Sequence, residues 1–249
     1  MAGAAYLSAL AAYRSGTGLV RIFTPEENRI ILQTLLPEAV LITYDENGDF
    51  TETKKLLKES LSDSTAVVIG PGLSINDTAK KILSLTLLRA SCPLVIDADA
   101  LNIIAADPSL KTDLPKGSVL TPHMGEMSRL TGIEIAELKN QAAEYSRSFA
   151  EKYGIVCAMK DAKTAVSDGE RVYMNQSGCS ALSKGGSGDV LTGIIASFIG
   201  CGMPPFEAAC LAVYLHGRCG EEGAKLLTEY SLLAHEIADL IPSVIKKEI

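Results

Sequence analysis

The sequence predicts an α/β fold: a mostly parallel central sheet with helices on both faces and an antiparallel hairpin at one edge. Short, nearly continuous apolar runs alternate with longer segments of helical spacing, as buried parallel strands and their crossover helices do. The pair Asp168-Gly169 separates two further β-rich runs and marks the hairpin. With 249 residues and 47% hydrophobic content, the chain can bury a sizeable core. No linker-like stretch or internal repeat divides it, so residues 1–249 read as one domain.

In chain order, strands are expected over 19–23, 39–44, 66–70, 94–98 and 118–121, each rich in Val, Ile or Leu. Helices are expected over 4–15, 54–61, 77–90, 101–106 and 135–153, where apolar residues recur at helical spacing. The runs 155–159, 164–167 and 171–174 break that alternation and supply the hairpin. Beyond them the chain reads as helical over 189–199, over 204–227 behind Pro204-Pro205, and over 231–246.

Charge and cysteine usage narrow the class. A net charge of −7 argues against a nucleic-acid partner, which calls for a basic face. The apolar runs are too short or too interrupted to span a bilayer, and the start lacks a signal-peptide layout, so a cytoplasmic location is expected. Six cysteines lie scattered without a CxxC pair and read as reduced thiols. A zinc site among Cys210, Cys219 and His216 lacks the usual ligand spacing, and helical packing explains them better.

Chemistry concentrates where the expected strands end, the side on which open α/β sheets build their sites. Gly70-Pro71-Gly72 closes one strand in a rigid turn that lets backbone approach a ligand; an ordinary tight turn fits too. Asp97 stands at the next strand tip as a functional candidate, whereas Asp99 reads as a cap of the following helix. Thr121-Pro122-His123-Met124-Gly125-Glu126 brings an imidazole and a carboxylate together. Glu126 suits either a metal bound through water or the N-terminus of a helix. His216 and His235 fall within helices and read as packing or surface residues. Lys160-Asp161-Ala162-Lys163-Thr164 offers cations and a hydroxyl to a nucleotide.

The densest signal is Ser183-Lys184-Gly185-Gly186-Ser187-Gly188-Asp189, directly ahead of an apolar helical run. Glycines before a helix let successive N–H groups point into one concavity, where the helix N-terminus adds positive potential for a phosphate. By itself the run also fits a plain helix-opening turn. Asp189 in the first helical turn is a candidate base that accepts a hydroxyl proton as a phosphoryl group arrives.

Taken in order, GPG (70–72), DADALN (97–102), TPHxGE (121–126), KxxxT (160–164), KGGSGDVLTG (184–193) and Leu233-Ala-His-Glu236 closely resemble the ribokinase-like NAD(P)H-hydrate dehydratases. The resemblance covers nearly the whole chain. It implies a ribokinase-like fold and a repair reaction on the S form of hydrated NADH or NADPH (NADHX, NADPHX). The ring hydroxyl is phosphorylated, phosphate leaves, and the dihydronicotinamide returns. ADP is the usual donor in bacterial members and ATP in eukaryotic ones, with Mg²⁺ on the nucleotide.

Carried over by position, the resemblance makes Asp189 the base and assigns Ala4, Gly70, Gly72, His123 and Asp189 to the hydrate. Lys160, Asp161, Ala162, Lys163 and Thr164, with Gly185, Gly186, Ser187 and Gly188, fall to the nucleotide. Glu126 falls to the outer sphere of Mg²⁺. Two departures stand out: Asp161 occupies a position where the family carries glycine, and the family's first strand, ahead of the helix that here starts near Gly3, is not represented. Its absence is expected to expose a sheet edge, covered in a homo-oligomer, a tetramer by analogy with the family. A ribokinase-like kinase of a vitamin-precursor alcohol and a catalytically silent nucleotide-binding protein are the alternatives.

Overall fold

The computed structural model describes residues 1–248. Its centre is a six-stranded sheet in the order β3 (Val67–Ile69), β4 (Leu94–Ile96), β5 (Val119–Leu120), β6 (Val156–Met159), β7 (Ala165–Ser167) and β8 (Val172–Met174). The first four run parallel, and β7 and β8 join antiparallel through the Asp168-Gly169 turn, as the sequence predicts. Asp168 holds that turn by accepting from the Glu170 and Arg171 N–H groups at 3.1 and 2.8 Å.

Alternation along each strand divides the core in two. Leu94, Ile96, Leu120, Cys157 and Met159 face one side. There they pack on α3 (Phe50–Ser62), α4 (Asp77–Arg89), α5 (Ala98–Ala106), α6 (Met124–Thr131), α7 (Ile135–Asn140) and α8 (Ala142–Tyr153). Val95, Val119, Val156 and Ala158 face the other side, under α1 (Ala2–Arg14), α9 (Ser187–Gly200), α10 (Pro205–Leu226) and α11 (Ala234–Glu248). Helix α9 is apolar nearly all round because it lies between the sheet and α1. A Cβ at Gly193 would stand 2.1 Å from the Ser8 carbonyl oxygen, so only glycine permits that approach.

Two expectations are corrected. The strands expected near 19–23 and 39–44 form β1 (Arg21–Pro25) and β2 (Val40–Tyr44), but these pair only with each other in a separate two-stranded parallel sheet. The expected unpaired edge is present: β3 ends the main sheet, and β1 and β3 border a cavity of about 850 Å³ between them. A helix not anticipated, α2 (Arg29–Leu35), forms between β1 and β2. The helix expected over 135–153 is two, broken at Gln141 with φ −132°.

Candidate functional site

Parallel register brings the sequence motifs to one end of the sheet. Ile69 pairs with Ile96, Ile96 with Leu120 and Leu120 with Cys157, so the residues that follow them emerge side by side. Gly70 is pressed against the next strand end, since a Cβ there would lie 1.8 Å from the Asp97 carbonyl oxygen. Its φ of +123° also favours glycine. Gly72 adjoins the start of α1, with a would-be Cβ 3.2 Å from that of Ala4. Gly72 and Ala4 thus adjoin, with Gly70 in the same turn.

Asp99 does not cap α5. Its Oδ2 accepts from the Ser74 N–H at 2.7 Å and ties down the loop after β3. Asp97 occupies the N-cap position yet makes no cap bond with its side chain. Instead Oδ1 accepts from Lys160 Nζ at 2.7 Å, a pair almost sealed from solvent on the carboxylate side.

His123 and Glu126 form a capping box at the start of α6. Nδ1 of His123 accepts from the Gly125 and Glu126 N–H groups at 2.9 and 3.3 Å, while Glu126 Oε2 accepts from the His123 N–H at 2.8 Å. Nε2 of the half-exposed ring stands 3.4 Å from Glu126 Oε1. Burial, then the Lys160 and Arg129 cations, hold the imidazole below its usual pKa, so it is neutral at pH 7. Burial pushes the Glu126 carboxyl up to about 6.

Asp189 sits half-buried in the first turn of α9. Its backbone is fixed twice, because its carbonyl accepts from Ser8 Oγ and from Thr192 Oγ1, each at 2.8 Å. Burial and then the neighbouring Asp97 push its carboxyl up to about 6, with Lys160 pulling the other way. A carboxylate poised there is a capable base near neutral pH. At Gly188 a Cβ would come 3.2 Å from Lys160 Nζ and 3.5 Å from Asp97 Oδ2. The Lys160–Asp97 pair therefore lies directly beneath the opening turn of the helix.

The glycine run divides into different tasks. Gly185 is exposed and opens onto free space, as a phosphate cradle requires. Gly186, at φ +89°, makes room for Leu7 and Ala234, so its glycine is also a packing requirement. The Ser187 N–H is taken by the Lys184 carbonyl at 3.3 Å, leaving the N–H groups of Gly188 and Asp189 as helix-terminal donors. Glu236 caps α11 by accepting from the Leu233 N–H at 2.7 Å, and this sets Ala234 against the turn.

Of the segment from Lys160 to Thr164, only Lys160 reaches the centre. Asp161, Ala162 and Lys163 are exposed on the connection to β7, so the carboxylate that replaces the family's glycine is held in solvent. Thr164 is half-buried and its carbonyl accepts from the Asn175 N–H at 3.0 Å.

Buried on α10 as a packing residue, His216 also brings Nε2 3.1 Å from Ser187 Oγ, in contact with the glycine run, which the sequence does not announce. Burial and Lys160 push it down to about 4, so the ring is neutral. His235 is exposed, as expected.

The large cavity between β1 and β3 meets this constellation at Gly70–Ser74 and at Ser8, which binds the Asp189 carbonyl. Its walls are strand edges with polar and apolar side chains in similar measure, Arg21, Glu27, Glu46 and Asp63 among them. Asp189, Asp97, Lys160 and His123 gather instead at the strand ends near the N-terminus of α9.

A family profile described as NAD(P)H-hydrate dehydratase matches residues 1–243. The chain belongs to that family. An ADP-dependent (S)-NAD(P)H-hydrate dehydratase of Bacillus subtilis is 37% identical over 99% of this chain and 86% of its own length. A bifunctional NAD(P)H-hydrate repair enzyme of Moorella thermoacetica is 36% identical over 99% of this chain. This chain spans 47% of that longer protein's length. A crystal structure of the ADP/ATP-dependent NAD(P)H-hydrate dehydratase from Bacillus subtilis, co-crystallised with ATP and Mg²⁺, superposes with a TM-score of 0.83. It is 34% identical, covering 99% of this chain and 85% of its own. The fold is ribokinase-like, with its parallel strand ends gathered near the N-terminus of α9: it superposes with a TM-score of 0.86 on a ribokinase-like superfamily protein of Enterococcus faecalis, 29% identical over 98% of this chain.

Proposed function

We propose that this chain catalyses nucleotide-dependent dehydration of the S form of hydrated NADH or NADPH, with Asp189 as the base for the ring hydroxyl. The single observation that carries the reading is the half-buried Asp189 carboxylate in the first turn of α9, beside the Lys160–Asp97 pair. Asp189 takes the hydroxyl proton while the hydroxyl oxygen attacks the terminal phosphorus of ADP or ATP. The bond from that phosphorus to the bridging oxygen breaks, and the shortened nucleotide departs. The phosphorylated ring then loses phosphate by carbon–oxygen cleavage and a ring proton to solvent, restoring the dihydronicotinamide.

The protein's share is positioning and charge stabilisation. Ala4, Gly70, Gly72 and the half-exposed His123 ring face the hydrate; the Gly185 turn, the Gly188 and Asp189 N–H groups and Lys160 face the donor phosphates. No group of three or more metal-ligating side chains occurs among the described residues. Mg²⁺ would arrive with the nucleotide, most of its waters retained, and Glu126 would stand in its outer sphere. When bound, Mg²⁺ offsets phosphate charge. No helix among the described residues is long and apolar enough to cross a membrane.

The deciding assay supplies hydrated NADH with ADP, with ATP or with neither, and follows return of dihydronicotinamide absorbance together with phosphate release. Matched appearance of the two, only with a nucleotide, is the expected result. A stable phosphorylated product would instead make the chain a kinase, and no nucleotide turnover would make it a binding protein.

Gly188→Val tests the donor side. The branched side chain meets the end of Lys160, which can yield, so the fold is expected to survive. Its methyl groups crowd the phosphate-facing turn, and nucleotide affinity measured by calorimetry is expected to fall roughly 10-fold or more, about 1.4 kcal/mol. Unchanged affinity in the folded variant would remove this turn from the donor site.

A further inference from the structure

Asp97 is 2% exposed, the most deeply buried carboxylate at the strand ends. Burying such a charge is expensive unless it is paired, and a buried ion pair can commonly be replaced by apolar side chains at no loss of stability. Stability alone therefore gives little reason for the Asp97–Lys160 pair. Its location gives a better one. Asp97 comes from the end of β4, Lys160 from the end of β6, and their contact at 2.7 Å lies beneath Gly188, the residue before the proposed base.

We propose that Asp97 is a positioning residue for phosphoryl transfer: it holds the Lys160 ammonium beneath the first turn of α9 and places a second negative charge behind Asp189. Base and phosphate-binding cation are then set by one buried pair. The proposal rests on Asp189 being the base.

The charged groups that face Asp189 are Asp97 at the β4 end, Asp99 in the first turn of α5, and Lys160 beyond β6. The packed face of α1 brings the Ser8 hydroxyl, which binds the Asp189 carbonyl and carries no charge. Both acidic neighbours disfavour the Asp189 anion and Lys160 favours it. Removing either member of the pair must therefore move the protonation of Asp189 in opposite directions.

The test measures kcat/KM against pH for the wild type, Asp97→Asn, Lys160→Gln and Asp189→Asn, with thermal melts to report folding. The acid limb, near pH 6 in the wild type, is expected to move to lower pH in Asp97→Asn and to higher pH in Lys160→Gln, each by roughly one unit. Asp97→Asn is isosteric; should it fail to fold, Lys160→Gln carries the same test with the opposite sign. An unmoved limb in the folded variants, whatever the fall in rate, overturns the proposal and leaves the pair as a brace. Failure of both to fold shows a structural pair and overturns it as well. Asp189→Asn separates the two readings: retained turnover there defeats the base assignment and this proposal together. Loss of turnover there with an unmoved limb in Asp97→Asn defeats this proposal alone.

Discussion

Asp189→Asn is expected to lower turnover by roughly 10²–10⁴-fold, the loss that follows removal of a general base. Asparagine matches the carboxylate in shape, and the Ser8 and Thr192 hydroxyls that fix residue 189 bind its backbone carbonyl, so fold and nucleotide affinity should remain. The pH dependence gives a second signature. The base works only as the anion, and burial raises its carboxyl to about 6. The rate constant kcat/KM should therefore be level above that pH and decline below it as the carboxyl takes up a proton. In the asparagine variant that limb should vanish. A folded variant with wild-type turnover would transfer the role of base to another group.

Gly70→Ala is expected to act through the backbone. The added carbon would stand 1.8 Å from the Asp97 carbonyl oxygen, at a φ of +123° that side-chain-bearing residues rarely adopt. Strain and overpacking together cost about 2–5 kcal/mol. Set against a total stability of about 5–15 kcal/mol, this corresponds to a melting temperature lower by roughly 5–15 °C. Relief requires β3 and β4 to part at their ends, where the Asp97 N–H donates to the Ile69 carbonyl at 3.1 Å. That movement displaces Asp97, and with it Lys160, so activity should fall even below the melting transition. A calorimetric melt unchanged from the wild type, with full activity, would show that the turn can adapt.

The parallel sheet and its site-bearing ends were legible because local signals carry them. Apolar runs mark β3 to β6, and each is followed by a polar or glycine-rich turn that parallel register gathers in one place. Pairings between distant residues left no such trace. Asp99 reads as a cap because capping rules weigh neighbours in sequence, and its partner Ser74 lies 25 residues away. His216 has the spacing of a core residue on α10, and nothing along the chain announces Ser187 as its partner. Helix α2 gives no clear sequence signal because it buries only Leu32 while Ile30 and Ile31 stay exposed, which blurs its amphipathic pattern. The separation of β1–β2 from the main sheet is a matter of strand partnership, on which the composition of each strand is silent.

That separation divides the molecule into parts with different mechanical lives. The six-stranded sheet has helices on both faces and can lose its hydrogen bonds only when the whole core gives way, whereas β1 and β2 share a single ladder with the cavity at their flank. Their amides should exchange with solvent through a smaller opening than those of β4 and β5. The Gly70–Ser74 loop borders both regions, so a molecule gripped there would be held on one side by a rigid frame and on the other by a yielding one. Substrate capture would then slow exchange in β1 and β2 as well, registering occupancy of the pocket in strands that carry none of its chemistry.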